Sequence, residues 1–303
     1  MAVFPLVGGN GPGVDYVLLD DALKAGDAVV TEISEGGSVP ELRFVNKTDR
    51  RVLLLDGDQL IGAKQNRIIN ITILVGVKQT LVVPVSCVEQ GRWHSVSRQF
   101  AAGRRVSPSL RGLQCASAKA SLRAGHGPHA DQGAVWDKVS AELDALGVES
   151  PSEALSEGYE AIGGDLAAYR EKLTCPKDAR GVIVAIDGTV AGMELFDKAE
   201  TLQRTWGKLI EAYATEAVWS SRSKQAKAEL SDDVAALARE FLALAQRSVG
   251  ESRPALGEGV HVDLEGDTLV GTALVAEGQV IHLAAFRKPE ARQRQRGYEG
   301  IVY

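Results

Sequence analysis

Six short runs rich in Val, Ile and Leu follow one another in the first hundred residues: YVLLDDAL, DAVVTEI, ELRFVN, RVLLLD, RIINITILV and TLVVPVSCVE. Each is closed by Gly, Asp, Asn or Lys, and runs of about four to eight residues punctuated in this way read as strands rather than helices. They follow too closely for helices to alternate with them, so a doubly wound parallel sheet is disfavoured and a sandwich or barrel-like sheet is expected. In RIINITILV, Ile69, Ile71, Ile73 and Val75 share one face by alternation, with Asn70 and Thr72 on the other, so one face is core.

The pattern then changes. From 99 to 130 Ser, Ala, Gly and Arg dominate, which reads as a basic loop or lid with a short helix near residues 114 to 123. Helical spacing follows, with Trp136, Val139, Leu143 and Leu146 ended by Gly147, then Leu155, Tyr159, Ile162, Leu166 and Tyr169 interrupted at Gly163-Gly164. A hairpin over 181–196 turns at Asp187-Gly188. Leu202, Trp206, Leu209, Ile210, Tyr213 and Ala217 make one further apolar stripe. Val234, Leu237, Phe241, Leu244 and Ala245 make another, with Ser231 as its N-cap and Asp232 and Asp233 favourably placed for the helix dipole.

A meander over 258–287 and an Arg-rich tail over 288–303 end the chain. The expectation is one α+β domain over 1–303. Its β-rich part spans 1–98, its helical part with the hairpin 131–250, and its last strands return to join or pack on the first sheet.

Composition removes several classes of function. With 45% hydrophobic and 24% charged residues the chain reads as a globular protein. It has no apolar run near the roughly 20 residues of a membrane span, and its start lacks a signal-peptide pattern. A cytoplasmic protein without membrane contact is expected. Cys87, Cys115 and Cys175 are odd in number and far apart, which suggests free thiols. A net charge of −6 disfavours nucleic acid as a partner. Even so, no Asp or Glu occurs from Gln90 to Ala130, where Arg92, Arg98, Arg104, Arg105, Arg111, Lys119 and Arg123 fall, and such a stretch can attract an anionic ligand.

The stretch LLLDGDQLIGAKQNRIIN interrupts the strands with an unusual polar set. Asp56, Asp58, Gln59, Lys64, Gln65, Asn66 and Arg67 fall within twelve positions, more donors and acceptors than a hairpin tip needs. Cations for phosphates, a carboxylate for a ribose diol and amides for base edges are what a nucleotide diphosphate sugar requires. The alternative is a hydrogen-bonded hairpin tip with ion-paired ends.

A second set, Cys87, Glu89, Gln90, Arg92, Trp93 and His94, follows where VPVSC turns polar. There Glu89 could serve as a base or ribose ligand and Trp93 could stack on a base; the alternative is a capped strand with Trp93 in the core. Cys87 reads as a small buried residue rather than a nucleophile. His126 and His129 read as solvated rather than metal-bound, and neither metal nor cofactor is expected. His282 sits among apolar neighbours in a strand and is a minor acid/base candidate against a core or edge role.

YVLLDDAL, VPELRFVN, LLLDGDQLIGAKQNR and VPVSCVEQGRW, in this order and spacing, resemble the ARG and rhodanese-phosphatase superfamily-associated protein domain family, ARG standing for ADP-ribosylglycohydrolase. The likeness is specific over residues 15 to 94, and the closing strands with VIHLAAF are similar to the family's C-terminal end. Where the family pattern has Glu, this chain has Asp58, one methylene shorter. The resemblance implies metabolism of ADP-ribose or another NAD-derived nucleotide, with ADP-ribosylglycohydrolase-type proteins as partners, and carries no defined reaction.

The reading favours an enzyme, a hydrolase or transferase acting on such a nucleotide; the alternative is a non-catalytic nucleotide-sensing or interaction module. Glu89 and Asp58 are the catalytic candidates. Asp56, Gln59, Lys64, Gln65, Asn66, Arg67, Asn70, Gln90, Arg92 and Trp93 form the ligand-binding set and are expected to border one cleft.

Overall fold

The computed structural model describes residues 1–9, 13–222 and 233–288. In chain order the elements are β1 (Ala2–Val7), β2 (Tyr16–Leu18), α1 (Leu19–Ala25), β3 (Ala28–Thr31), β4 (Glu41–Asn46), β5 (Arg51–Leu54), β6 (Asp58–Gly62), β7 (Arg67–Ile69), β8 (Ile73–Val75), β9 (Thr80–Cys87) and β10 (Phe100–Arg105). There follow α2 (Pro108–Arg123), α3 (Gln132–Leu146), α4 (Leu155–Ala161), α5 (Gly163–Lys172), β11 (Ala179–Ile186), β12 (Thr189–Phe196), α6 (Ala199–Arg222), α7 (Val234–Arg247), β13 (Val249–Pro254), β14 (Val260–Glu265), β15 (Leu269–Ala276) and β16 (Gln279–Arg287).

The fold is α+β, as the order of patterns implies. The N-terminal strands make a six-stranded sheet, β10-β6-β7-β9-β4-β3, and a three-stranded one, β2-β5-β8. The C-terminal meander completes a seven-stranded sheet, β1-β11-β12-β16-β15-β14-β13, around the β11–β12 hairpin. That sheet packs on the three-stranded one through Leu53, Leu55 and Leu74, which share a core with Val182, Val184, Leu274 and Ile281. An isolated bridge from Leu74 to Glu258 joins them at one edge.

Neither RVLLLD-GDQLIG nor RIINITILV is a single uninterrupted strand. Residues 55–57 and 70–72 carry the chain from the three-stranded to the six-stranded sheet and back. They run side by side: the Gly57 N–H donates to the Ile69 carbonyl at 2.8 Å and the Asp56 N–H to Thr72 Oγ1 at 3.3 Å. The alternation nevertheless holds across the break. Ile69, Ile71, Ile73 and Val75 lie in one core cluster, while Asn70 and Thr72 turn to buried polar partners.

The segment read as a basic loop or lid is strand β10 followed by the 16-residue helix α2. Ser107 caps the helix, its side chain accepting from the Leu110 N–H, and Pro108 opens it, a start signal that the Ser/Ala/Gly-rich composition obscures. Its inward face carries Arg111, Gln114 and Lys119 beside Leu110 and Ala118, so apolar periodicity alone does not reveal it. Six of the seven cations of this acid-free stretch, all but the exposed Arg98, are paired within the protein. Arg92 pairs with Glu89, Arg104 with Glu211, Arg105 and Arg111 with Asp56 and Glu194, Lys119 with Asp263, and Arg123 with Glu265.

The other helices fall where spacing puts them. Gly147 ends α3 in the left-handed region at φ 69°, and the interruption at Gly163 separates α4 from α5. Asp187 (φ 47°) and Gly188 (φ 77°) form the tight turn of the β11–β12 hairpin. Asp233 caps α7, accepting from the Ala236 N–H at 2.7 Å. Ser231, Asp232 and, apart from Lys288, the Arg-rich tail lie outside the described residues.

Gly181 in β11 passes against the backbone of β12. An added Cβ would collide with the Glu194 carbonyl and lie 2.9 Å from Leu195 Cα. Gly181→Ala is therefore expected to destabilise the protein by about 1 to 3 kcal/mol, read as a lowered melting temperature. An unchanged melting temperature would show that β12 yields freely at Glu194.

Candidate functional site

The polar stretch does not form one cluster. Its residues part along β6 into a buried ion network at one end, a cleft beside that network, and a tight turn at the other end.

The network gathers Asp56, Arg105, Arg111, Glu194 and His282. Arg111 donates Nε and Nη2 to Asp56 Oδ2 at 3.0 and 2.8 Å and Nη1 to Glu194. Arg105 Nη2 lies 3.4 Å from Glu194 and 3.6 Å from Asp56. His282 Nε2 meets Glu194 Oε2 at 2.8 Å, and its Nδ1 meets Thr72 Oγ1 at 2.8 Å. Burial pushes both carboxyls up, but the neighbouring cations prevail. Asp56 ends below its usual range through Arg111, His282 and Arg105, and Glu194 well below through Arg105 and Arg111.

These groups hold one another, and the adjoining cavity, lined among others by Asp56, Asn70, Thr72 and Lys119, has about 30 Å³, room for one or two waters. Asn70 is likewise engaged, accepting from Ser86 Oγ at 2.8 Å and Gln114 Nε2 at 3.0 Å. Sequence reasoning passed over Glu194 and Thr72; the signal was a carboxylate in the otherwise apolar GMELF strand.

Asp58, only two residues on, lines a cleft of about 210 Å³ with Asp20, Asp21, Arg105, Arg204 and Lys208. Its Oδ1 is buried without a hydrogen-bond partner, 3.8 Å from Arg105 Nε. Burial raises its pKa above the usual carboxylate range, an effect that Lys208 and Arg105 offset only in part. Lys208 and Arg204, supplied by α6, pair with Asp20 and Asp21 at 2.5 and 2.7 Å. Sequence spacing gave no hint that α6 would meet β6. Gln59, the next residue, is buried and its Nε2 has no partner.

At the far end of β6, Gly62 and Ala63 (φ 41°) turn the chain back into β7. Glu89 clamps this turn. It accepts from Arg92 Nε and Nη2 at 2.7 and 2.5 Å, from the Asn66 N–H at 3.0 Å and from Ser152 Oγ at 3.2 Å. Arg92 also donates to the Ala63 carbonyl at 2.6 Å. Burial raises the Glu89 pKa, but Arg92 and the Asn66 N–H outweigh it and leave Glu89 below its usual range.

Asn66 Oδ1 accepts from the Gly62 N–H at 3.0 Å, and Gln65 bridges Arg67 to the carbonyl of the exposed Gln90. Trp93 is 45% exposed, which sets aside its placement in the core, and Lys64 and Arg67 lie 5.5 and 5.6 Å from its ring. Cys87 is fully buried, and burial pushes its thiol up to about 11, away from nucleophilic use. The expected single border from Asp58 to Trp93 is therefore replaced by two separate places with unspent polar groups, Asp58 and Arg67.

A family model, the ARG and Rhodanese-Phosphatase-superfamily-associated Protein domain (ARPP-1), matches residues 1–286. The chain belongs to this family. No curated protein and no solved structure matches it. The ARPP-1 match takes in all three neighbourhoods, and the family's name records an association with ARG-type and rhodanese-phosphatase-superfamily proteins. Among the described residues of this ARPP-1 chain no helix is long and apolar enough to cross a membrane.

Two substitutions test the division between held and unspent groups. Arg111→Met leaves Asp56 short of its main cation and Glu194 of one of its two arginines, and is expected to cost about 3 to 5 kcal/mol in chemical denaturation, since a buried pair is broken from one side. A loss within error of zero would mean that water reaches the network.

For Glu89 the ionised form carries the stabilisation. It is present above the unfolded pKa of about 4.3 and is lost as pH falls through the lowered folded value. Glu89→Gln should therefore cost about 1 to 3 kcal/mol at neutral pH, with the gap to wild type closing in acid. A gap that stays constant on acidification contradicts the clamp.

Proposed function

We propose that this protein binds an ADP-ribose-like nucleotide and hydrolyses or transfers a group on it, with Asp58 as the acid that drives the step. The observation that carries this reading is the Asp58 carboxyl itself: buried, raised in pKa, without a hydrogen-bond partner at Oδ1, and lining a cleft with Arg105, Arg204 and Lys208. A perturbed carboxyl in a cleft is where acid/base chemistry is expected.

The lining residues balance as three carboxyls and three cations, so protonating Asp58 leaves a surplus positive charge for a phosphate or another anion. At about 210 Å³ the cleft takes one ribose or phosphoryl unit, with the rest of a nucleotide lying outside it. In hydrolysis, protonated Asp58 gives its proton to the departing oxygen, water adds to the carbon or phosphorus left behind, and Asp58 recovers a proton from that water.

Glu89 suits the role less well, because both its oxygens are occupied by Arg92, Asn66 and Ser152. The family association with ADP-ribosylglycohydrolases supports the choice of ligand class.

Purified protein incubated with NAD, ADP-ribose and ADP-ribosylated protein, with products followed by mass, is expected to show turnover that Asp58→Asn lowers by about 10² to 10⁴ while nucleotide binding persists. The rate should fall as pH rises through the raised Asp58 pKa, because the acid form is then lost. Binding without turnover in wild type would favour a nucleotide-sensing module, and undiminished turnover in Asp58→Asn would remove Asp58 from the chemistry.

A further inference from the structure

Arginines in this protein repeatedly present the same edge of the guanidinium, Nε with Nη2, the pair that fits two oxygens of one oxyanion side by side, as the exposed Arg50 does on Asp15. Arg92 places that edge on the two oxygens of Glu89, at 2.7 and 2.5 Å. Arg111 places it on a single oxygen, Asp56 Oδ2, at 3.0 and 2.8 Å. Arg67 has the same edge bare: its side chain is fully buried, and neither Nε nor Nη2 has a hydrogen-bond partner. Its remaining nitrogen, Nη1, donates to Gln65 Oε1 at 3.1 Å. Because Gln65 Nε2 in turn holds the Gln90 carbonyl at 3.3 Å, the guanidinium is tied to the end of β9.

A guanidinium keeps its charge even when buried, so a bare fork in the interior lacks the oxygens it is shaped for. Burial accordingly weighs against the charged form of Arg67, with only partial relief from Glu32 and Glu89. The surroundings carry a surplus of one positive charge, with Arg67, Lys64 and Arg92 against Glu32 and Glu89, and Glu89 is already engaged by Arg92.

Trp93 stands over Arg67 at 5.6 Å on an irregular, exposed stretch after β9, and Lys64 reaches the same ring. An indole on such a stretch can swing aside, uncovering the fork, and can stack on a planar group bound beside it.

We propose that Arg67 and Lys64 form an oxyanion subsite covered by Trp93, which takes the phosphate group of a small phosphorylated ligand. The Arg67 backbone pairs with Leu60 in the middle of β6, but its guanidinium lies against Trp93 and Gln65, and the subsite does not rest on the chemistry assigned to Asp58. It is a binding device in its own right, and a nucleotide held here needs no turnover.

Titration of wild-type protein with pyrophosphate, ADP-ribose and ribose at constant ionic strength tests it, read by heat and by tryptophan fluorescence. Pyrophosphate and ADP-ribose are expected to bind and change the fluorescence, and ribose to do neither. Arg67→Lys, which keeps the charge but loses the fork, should weaken both phosphorylated ligands about tenfold or more. Trp93→Phe should fold normally and abolish the fluorescence change. Binding of pyrophosphate without ADP-ribose would place free phosphate species on the fork.

Crystals of the wild-type protein soaked in pyrophosphate give a reading independent of any variant's folding, with an oxyanion expected within about 3.2 Å of Arg67 Nε and Nη2. Equal affinity in Arg67→Lys, no binding by wild type, or a soaked crystal in which Glu32 occupies the fork would overturn the proposal.

Discussion

Arg111 and Glu194 meet in a fully buried ion pair, and the way the sheets and α2 come together depends on it. Arg111 stands on α2, Glu194 on β12, Asp56 between β5 and β6, Arg105 at the end of β10 and His282 on β16. Each charge is removed from water, so none is tolerable until the others arrive, and the elements that carry them must dock in one register. The backbone is shaped to suit. Gly57, at φ 78°, passes under the Arg111 side chain, where an added Cβ would lie 2.6 Å from its Cδ. Taking several charges out of water contributes little net stability, and what the network supplies is specificity, selecting this packing over alternatives that would strand a charge.

Much of the fold was legible because apolar residues carried it. Strand alternation and helical stripes depend on which side chains avoid water, and Ile69 to Val75 and the α6 stripe were read from that signal, while the Asp187-Gly188 turn was read from its Asp-Gly pair. The α2 segment resisted the same reading for a physical reason: its inward face is built from Arg111, Gln114 and Lys119, whose partners come from residues far along the chain. A buried cation looks in sequence like a solvated one, so the short helix expected near 114 to 123 takes in only the C-terminal part of α2, and the Ser107-Pro108 start went unread. The passage of residues 55–57 and 70–72 between two sheets was hidden likewise, because an alternating pattern does not show that its strand changes partners.

The candidate site was legible as a composition and not as an arrangement. Seven polar residues within twelve positions do mark a place where the sheet does something unusual, and all of them find defined surroundings. Yet β6 separates Asp56 and Asp58 from Gln65 and Asn66 at the turn, Arg67, though paired with Leu60, turns its guanidinium to Gln65 and Trp93, and the β9 extension brings Glu89 and Arg92 only to this second group. Proximity in sequence along a strand is distance in space, at about 3.3 Å per residue. Arg204 and Lys208, which line the cleft with Asp58, come from a helix far along the chain and carry no local mark.

What distinguishes Asp58 and Arg67 from Asp56, Glu89, Arg92 and Arg111 is the state of their hydrogen bonds. Asp56, Glu89, Arg92 and Arg111 are each met by at least two partners, and such groups lose more by engaging a ligand than they gain, because their present partners would be left bare. Asp58 and Arg67 stand on the other side of that balance. A proton or a hydrogen-bonding ligand group relieves Asp58, and two oxygens relieve Arg67, without breaking a hydrogen bond at Asp58 Oδ1 or at the Nε–Nη2 edge. Arg105 makes the first of these sensitive to the interior: it lies 3.8 Å from Asp58 and 3.4 Å from Glu194, so one guanidinium is divided between an acid in the cleft and an acid in the network. Any shift of Arg105 toward Glu194 and Asp56 leaves Asp58 less compensated and holds its proton more firmly, which ties the acid strength in the cleft to the packing of the sheets behind it.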